Sequence, residues 1–368
     1  MTFPWHRALR CTASAAALAL MCFSLTGCGD NKTETPTQPE PPQAKVTLKI
    51  EARPESSGEQ TRIHKIDELG RELEVEIAFR DKTKGWEIYN PDSGALVEVK
   101  RTHTNHKVLQ LHIKYKGGKI VWEERYYPNG KLQQSRVWHK NGDRELRQYV
   151  NDGTTELTRL LIRQDGSGQW IQYRQDWQSR TVKGIAQSFT WTANGDSTRE
   201  MYNQADGTTL ISRSQKSGDN LVVSGLRADG TLLYKQYHKS SGDEQSRRNS
   251  FLPPWILQKV ELYSADGKTI EREFHYDGSL PYPYCPSSVH FPMPGGGKRV
   301  VECTPNPQTS EAEVTGEKIF DASGNLVSEQ TGQTGASLAD LKPEHTWVQV
   351  EHGMPVNLKT HTEQWFRQ

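Results

Sequence analysis

The chain has 368 residues, with 46 basic and 45 acidic side chains and a formal net charge of +1. Hydrophobic residues make up 33% of it, and its 30 glycines bring that share to about 41%, below the roughly 45–50% of ordinary globular domains. The balanced charge argues against nucleic acid or an anionic membrane surface as an electrostatic partner. Because the chain is this polar yet contains 10 tryptophans and 13 tyrosines, we expect a thin core.

Residues 1–27 are typical of an export signal. Basic residues in the first ten positions precede a small-residue apolar run, which is shorter than the about 20 residues that a spanning helix needs. The run ends in Leu25–Cys28, which resembles the bacterial lipobox. That resemblance implies cleavage before Cys28, fatty acyl chains on this residue and, because Gly29 follows it, attachment to the outer membrane facing the periplasm. The alternative is an ordinary signal peptide that carries a cysteine.

Residues 28–44 form the predicted tether. The segment contains four prolines and no aromatic residue, so it cannot bury a core and is expected to be extended and disordered. Residues 45–114 are predicted to form an N-terminal β cap, since "KVTLKIEAR" and "LEVEIAFRD" alternate apolar and polar residues. Residues 281–368 are predicted to form a C-terminal β cap, with a disulfide loop, a short helix at Ser337–Leu341 and two last strands, "TWVQVEH" and "NLKTHTEQWF".

Residues 115–280 repeat one turn about every 12 residues. The turn glycines follow Asn or Asp at nine places, and these residues tolerate the positive φ that a two-residue hairpin turn demands. The segments between them alternate: "KIVWEERYY" puts Ile120, Trp122 and Tyr126 on one side, and "TLLYKQYHK" has Leu233 and Tyr237 at even spacing. The pattern predicts an all-β fold, an extended antiparallel meander of β-hairpins that is single-layered or gently coiled. The nine Asn and Asp positions are Asn129, Asn141, Asp152, Asp165, Asn194, Asp206, Asp229, Asp266 and Asp277.

The phrases around these turns resemble a known repeat family. Residues 126–132 ("YYPNGKL"), 202–208 ("YNQADGT") and 263–268 ("YSADGK") are similar to the variant MORN repeats of bacterial proteins labelled antitoxin components. They are also similar, more loosely, to the YD repeats of large secreted toxins. The resemblance covers residues 115–280, with one further copy near Phe320. It implies a β-hairpin scaffold and protein–protein binding, and it supplies no catalytic residues.

Cysteine usage is in keeping with export. Two cysteines leave with the leader and Cys28 is the lipidation site, so Cys285 and Cys303 remain as a pair in an oxidising compartment. A disulfide between them would close a loop rich in Pro and Gly and would contribute about 3 kcal/mol. The alternative is a pair of metal-binding thiols, although no second cysteine pair accompanies them.

The sequence contains no recognisable catalytic constellation. It has no G-x-S-x-G, P-loop or H-E-x-x-H motif, so we predict neither an enzyme nor a cofactor. His103, His106 and His112 could be imagined as metal ligands, but His103 and His106 would point to opposite faces of a strand, which favours a surface role. The acidic pair Glu123-Glu124 alternates faces and is interpreted as two solvated strand positions. The sequence therefore predicts no metal site.

Aromatic residues beside the turns are the candidate binding residues. Interface energy concentrates in Trp, Tyr and Arg, so Trp122, Trp138, Trp191, Tyr126 and Arg136 are predicted to contact a partner. The tryptophans could instead stack on sugar rings, or they could form the apolar half of a thin sheet.

Two functional hypotheses follow from these observations. The first is a membrane-anchored periplasmic protein-binding lipoprotein, in its sharpest form an immunity protein that sterically neutralises an antibacterial effector such as a lipase. The alternative is a structural or assembly lipoprotein of the envelope that binds another outer-membrane protein or a glycan. In either case the chain contacts the membrane through its lipid anchor and does not bind nucleic acid.

Overall fold

The computed structural model describes residues 45–176, 181–240, 255–277, 286–305 and 312–332, together with Phe366. Backbone contacts divide the chain after Ala44, and all of the described residues belong to the unit that begins at Lys45. The predicted leader, the tether, Cys28 and Cys285 lie outside the described residues, as do the predicted helix at Ser337–Leu341 and, apart from Phe366, the two last strands.

The described part of the chain contains strands and a single short 3₁₀ turn, at Glu55–Ser57, but no α-helix. The first eleven strands are β1 (Thr47–Ala52), β2 (Glu59–Ile66), β3 (Glu72–Phe79), β4 (Lys84–Tyr89), β5 (Leu96–Thr102), β6 (Leu109–Lys116), β7 (Lys119–Tyr126), β8 (Leu132–Trp138), β9 (Arg144–Tyr149), β10 (Glu156–Ile162) and β11 (Gly168–Gln175). The others are β12 (Val182–Trp191), β13 (Ser197–Tyr202), β14 (Leu210–Ser217), β15 (Asn220–Leu226), β16 (Leu232–Ser240), β17 (Trp255–Tyr263), β18 (Ile270–His275), β19 (Ser288–Pro292), β20 (Lys298–Pro305), β21 (Ala312–Phe320) and β22 (Leu326–Thr331).

Every strand pairs with the next one along the chain, and every pairing is antiparallel. The 22 strands form one sheet, so the predicted all-β antiparallel meander is confirmed. β6 continues across residue 114, where the N-terminal cap was predicted to end, and β1–β5 belong to the same sheet. The division into a repeat region and two caps stays a prediction.

The described Asn-Gly and Asp-Gly turns differ from the predicted two-residue hairpins, which do occur at Gly117-Gly118 and Gly218-Asp219. The backbone N–H of Tyr127 donates to the carbonyl of Lys131 at 2.8 Å, and the Gly130 N–H donates to the carbonyl of Tyr127 at 2.9 Å, so that the turn encloses three residues. Gly130 alone takes a positive φ of 81°, while the Asn129 side chain accepts a hydrogen bond from the Lys131 N–H at 2.9 Å. The prediction that Asn and Asp take the positive φ is therefore wrong. Their carboxylate or amide oxygen instead caps the backbone of the turn, and the glycine supplies the left-handed conformation.

Turns at the same edge of the sheet contact each other across an intervening hairpin. The Tyr127 hydroxyl donates to the carbonyl of Tyr149 at 2.8 Å, and the Asn129 amide donates to the side chain of Asn151 at 2.8 Å. A Cβ on Gly153 would lie 2.8 Å from the Leu132 backbone nitrogen. The glycine in this turn is thus required by close packing as well as by its positive φ.

One face of the sheet carries the core. Residues that oppose each other directly in neighbouring strands point to the same side, and they connect Val75 on β3 to Val301 on β20 in one line. We call this side the core face and the other side the opposite face. The buried members of the line are Val75, Glu123, Leu146, Leu160, Phe189, Val223, Gln236, Val260, Phe274, Val289 and Val301.

Apolar side chains on the core face form two clusters. The first joins β17–β20 and contains Leu257, Val260, Phe274, Val289, Val301 and Cys303. The second joins β9–β12 and contains Leu146, Leu160, Ile162, Phe189, Trp191 and Phe366. Phe366 comes from the end of the chain, and its ring meets that of Trp138 edge-on at 5.7 Å, so a residue far away in sequence completes the second cluster.

Polar residues on the core face correct two predictions. Glu123 was interpreted as solvated, but it is 6% exposed, because it faces the core side and is paired with Arg125 and Arg136. On β16 the buried positions are Tyr234, Gln236 and His238. The apolar pair singled out from the sequence, Leu233 and Tyr237, lies on the half-buried opposite face, because the polar residues of this strand are the ones turned inward.

Candidate functional site

The predicted binding residues divide between the two faces. Trp122 and Tyr126 lie on the opposite face of β7, each two residues from Glu124. Arg136 and Trp138 lie on β8 on the core face, since Arg136 opposes both Glu123 and Leu146. Trp191 also lies on the core face. The structure therefore brings together only Trp122 and Tyr126 as parts of one partly exposed surface.

Trp122 is held by two basic side chains of the neighbouring strand β6. The His112 ring meets the indole edge-on, with a centroid separation of 4.8 Å, and the Lys114 ammonium lies 4.9 Å from the indole centroid. Lys114 directly opposes Trp122 in the ladder, which is why its ammonium can lie over the ring as a cation–π partner. The indole stays partly exposed.

Two carboxylates bond other side chains on this side of the sheet. Glu98 accepts a short hydrogen bond from His112, and Glu124 accepts one from the Tyr126 hydroxyl. Burial, and then the bond to Glu124, raises the pKa of Tyr126 well above its ordinary value. We call Glu98, His112, Lys114, Trp122, Glu124 and Tyr126 the Trp122 patch. It presents an aromatic centre with charges of both signs around it.

The other three candidates are engaged on the core face. Arg136 contacts the buried Glu123 at 3.2 Å, and Trp138 packs against the second core cluster. Trp191 is 6% exposed, and its indole N–H donates to the carbonyl of Gly166 at 2.8 Å. With its ring buried and its donor satisfied, Trp191 is not suited to be a binding anchor, and the same burial excludes it from stacking on a sugar.

A shallow cleft adjoins Trp191 where β11–β13 end. Its volume is about 290 Å³, which is at the lower limit of small-molecule sites. Most of the lining residues have polar side chains, and the cleft lies beside the turn at Asp196. Asp196 is itself used by the fold, since it accepts the Gly218 N–H at 2.9 Å. The lining residues are Arg163, Gly168, Gln169, Thr190, Trp191, Thr192, Asp196, Ser197 and Thr198.

The three histidines that were considered as metal ligands from the sequence lie in a turn and on a strand. His103 and His106 both lie in the loop between β5 and β6, so the prediction that they point to opposite faces of one strand is wrong. His103 contacts the Tyr126 carbonyl at 3.0 Å through Nε2, and His106 takes a positive φ of 56°. Neither belongs to a group of metal ligands among the described residues.

A different group of potential metal ligands lies on the opposite face of β18 and β19. Glu273, His275 and His290 place one ligand atom each within 4.8 Å of one another, and this group was not predicted from the sequence. Glu273 directly opposes His290 in the ladder, and the His275 and His290 rings stack at a centroid distance of 4.0 Å. Burial, and then the charges of His275 and Lys298, lowers the pKa of His290 to about 4. Its ring is therefore neutral at neutral pH.

A Glu-x-Tyr pattern recurs at strand ends and was also missed. The Tyr hydroxyl donates to the Glu two residues earlier at 2.8 Å for Tyr89, 2.9 Å for Tyr202 and 2.6 Å for Tyr263, and Tyr126 makes the same bond. Because residues two apart share a face, each pair ties one ring flat along its own strand. The Glu-x-Tyr pattern can be recognised in the sequence once the hydrogen bond between the two side chains is known.

The cysteines leave the predicted disulfide untested. Cys303 is 5% exposed within the first core cluster, and Cys285 lies outside the described residues. The lipidation of Cys28 likewise stays a prediction. Within the described ranges, no helix is long and apolar enough to cross a membrane.

Comparisons with known proteins give only distant similarities. No model of a known protein family matches the chain, and no curated protein matches it. A chain of the Photorhabdus luminescens Tc holotoxin pore matches 71% of this chain over 15% of its own length, with 12% identity and a TM-score of 0.16. A porin-like protein from Bacteroides uniformis matches 74% of this chain over 94% of its own, with 8% identity and a TM-score of 0.17.

A third solved structure, a putative 6-phosphogluconolactonase from Bacteroides fragilis, matches 80% of this chain over all of its own length, with 10% identity and a TM-score of 0.17. At such identities and TM-scores, none of these similarities carries an argument about function.

Proposed function

We propose that the chain is a lipid-anchored protein-binding protein of the bacterial envelope, and that a partner protein docks on the Trp122 patch. The lipobox-like stretch Leu25–Cys28 supports the anchor. The hairpin meander supports the binding role, because a wide sheet offers a broad surface of fixed side chains. The observation that carries the proposal is the geometry around Trp122: a partly exposed indole held between Lys114 and His112.

This geometry fits the centre of a protein interface. Hot spots are enriched in Trp and Tyr, and they lose little conformational entropy when the ring is already held in place. Here Lys114, His112 and the pair Glu124–Tyr126 fix the surroundings of the indole. The mixed charges at the rim favour a protein partner with complementary charges over a polyanion.

The sharpest form of the proposal is an immunity lipoprotein. The resemblance to the repeats of antitoxin components supports it, and a periplasmic lipid anchor would hold the inhibitor where an incoming effector such as a lipase acts. Inhibition would be steric, because a sheet face that covers an active site blocks its substrate. The alternative is an envelope assembly lipoprotein that binds another outer-membrane protein or a glycan on the same patch.

Site-specific photo-crosslinking in intact cells tests the proposal. A photoreactive residue replaces Lys116, an exposed residue of β6 two positions from Lys114, in one strain and the exposed turn residue Ala228 in another. We expect one stoichiometric protein partner to be crosslinked from position 116 only, and to be lost when Trp122→Ala is added. Trp255→Ala, a change of another partly buried tryptophan on distant β17, is the matched control and should leave the crosslink intact.

The identity of the captured protein separates the two forms. An effector with a lipase or other toxin signature supports the immunity role, and only abundant outer-membrane proteins captured equally from both positions would refute the patch. In the same strains, Cys28→Ser should move the protein from the membrane to the soluble periplasm and abolish labelling by radioactive palmitate. A chain that stays in the membrane after this change has another anchor.

A further inference from the structure

The group of Glu273, His275 and His290 has the composition of a transition-metal site. Two imidazoles and one carboxylate are a ligand set that Zn²⁺ uses at sites with an open fourth position. The three side chains come from adjacent strands, and the ladder fixes their approach, since Glu273 opposes His290 directly and His275 lies two residues from Glu273. A site whose ligands are set by strand register is formed by the fold itself.

The distances between ligand atoms are those that a small ion requires. Oε2 of Glu273 lies 3.3 Å from Nε2 of His275 and 3.7 Å from Nδ1 of His290. Zn–N and Zn–O bonds of about 2.0–2.2 Å in tetrahedral geometry separate neighbouring ligand atoms by about 3.4 Å. The two carboxylate–imidazole separations match this value within about 0.3 Å, and the remaining pair lies within 4.8 Å.

Ser288 provides the hydrogen bond that orients a metal-binding imidazole. Its hydroxyl lies 3.1 Å from Nε2 of His290, the nitrogen turned away from the carboxylate. When Nε2–H donates to this hydroxyl, the neutral ring keeps the Nδ1 lone pair directed towards Glu273, and such a partner is typical of histidines that bind metals. A lone pair facing a carboxylate oxygen repels it, and a cation between the two removes the repulsion.

The charges around the group leave room for a cation. Two ammonium groups act on the group: the charge of Lys298 contributes to the lowered pKa of His290, and Lys259 bonds Glu261 at 2.6 Å and approaches the other carboxylate oxygen of Glu273 at 3.6 Å. The carboxylates of Glu261 and Glu273 therefore balance the two ammonium groups, and neither lysine is bonded to Oε2 of Glu273. The side chains of Glu273, His275 and His290 are 25%, 33% and 19% exposed, so an ion can enter from solvent and a water molecule can complete its coordination.

We propose that Glu273, His275 and His290 bind one divalent transition-metal ion of the zinc class on the opposite face of β18 and β19. The inference is independent of the Trp122 patch, which lies on other strands. Metal binding would hold β18 to β19 next to the segment of residues 278–285 that connects them. The site would thus stabilise the part of the sheet where the regular repeat ends.

Metal titration of the intact chain tests the proposal. The chain, purified from membranes in detergent and stripped with EDTA, is titrated with Zn²⁺ against a chromogenic chelator and with Co²⁺ by visible absorption. We expect one tight site per chain and a tetrahedral Co²⁺ spectrum. His290→Gln should weaken binding by more than about 100-fold, whereas His112→Gln, which alters a strand histidine outside the group, should leave it unchanged.

Ser288→Ala keeps all three ligands and provides a test that does not depend on their removal. We expect it to weaken binding by about 10-fold, since loss of such a partner typically costs 10–100-fold in affinity. Saturating Zn²⁺ should also raise the melting temperature of the unaltered chain but not that of the His275→Gln/His290→Gln variant. The proposal is overturned if the unaltered chain binds no more Zn²⁺ or Co²⁺ than this double variant does.

Discussion

We expect the stability of the protein to fall as the pH is lowered from 7.5 to 5.0, and His238 to be a principal cause. His238 lies on the core face of β16 and is 9% exposed, opposed in the ladder by Leu221 and Leu257. Burial among these apolar neighbours lowers its pKa from 6.5 to about 4. The imidazole is therefore neutral in the folded protein at pH 5, whereas in the unfolded chain it is protonated at that pH.

The sign and size follow from proton linkage. A histidine with a lowered folded pKa binds more protons when unfolded, so its effect is absent above pH 6.5 and destabilisation accumulates as the pH falls towards 4. A shift from 6.5 to about 4 corresponds to about 3 kcal/mol in full, of which about 2 kcal/mol is reached by pH 5.0. His290, whose pKa is lowered in the same direction, adds a smaller effect because it is more exposed.

Urea unfolding at pH 7.5 and pH 5.0 measures this effect. His238→Leu removes the titrating group and places an apolar side chain between Leu221 and Leu257, so its free energy of unfolding should lose about 2 kcal/mol of the pH dependence. His139→Leu, at a side chain that is 43% exposed, is the control and should keep the pH dependence of the unaltered chain. If His238→Leu keeps it as well, the assignment of the pH effect to this buried imidazole is wrong.

Two further predictions concern the turns and the core. Gly153→Ala should destabilise the protein by at least about 1 kcal/mol more than Gly166→Ala, as measured by urea unfolding. Both glycines have a positive φ, but only at Gly153 would the new Cβ meet backbone, at 2.8 Å from the Leu132 nitrogen. Equal losses of stability in the two variants would exclude a contribution from packing between turns. Phe274→Ala removes a fully buried ring of the first cluster and should lower the free energy of unfolding by about 3–5 kcal/mol. Leu326→Ala changes a residue that is 50% exposed on β22 and should lower it by less than about 0.5 kcal/mol. Similar losses of stability in the two variants would mean that the two strands are packed alike.

The architecture could be predicted from the sequence because its determinants are local. A turn glycine about every 12 residues, with short alternating segments between the turns, leaves consecutive antiparallel pairing as the simplest topology. At the Asn-Gly and Asp-Gly turns, the turn type was not predicted correctly. The dipeptide Asn129-Gly130 is compatible with both two-residue and three-residue loops, and the hydrogen bond from Tyr127 to Lys131 that distinguishes them depends on strand register.

Which face of β16 is buried could not be predicted, because polar residues of this strand point towards the core. The sequence "TLLYKQYHK" offers Leu233 and Tyr237 as an apolar pair, while Gln236 and His238 oppose Val260 and Leu257 on the core face. Alternation identifies the buried face of a strand only when that face is also the apolar one. Glu123 was misplaced for the same reason, since its charge is compensated by Arg136 from the next strand, and nothing within β7 indicates that partner.

The two candidate sites differ in how far the sequence could lead to them. Trp122 is conspicuous as a residue type beside a turn, so it could be singled out, although the division of the candidates between two faces required the register of β7 against β8. The metal group gives no comparable signal, because His290 and Glu273 belong to different strands and the length of the connection between these strands does not fix their register. Single histidines in polar strands are then indistinguishable from solvated ones. A meander of this kind can therefore assemble ligand sets on its opposite face without any sequence motif, and such sites are to be sought where strands that flank a long connection oppose His with Glu.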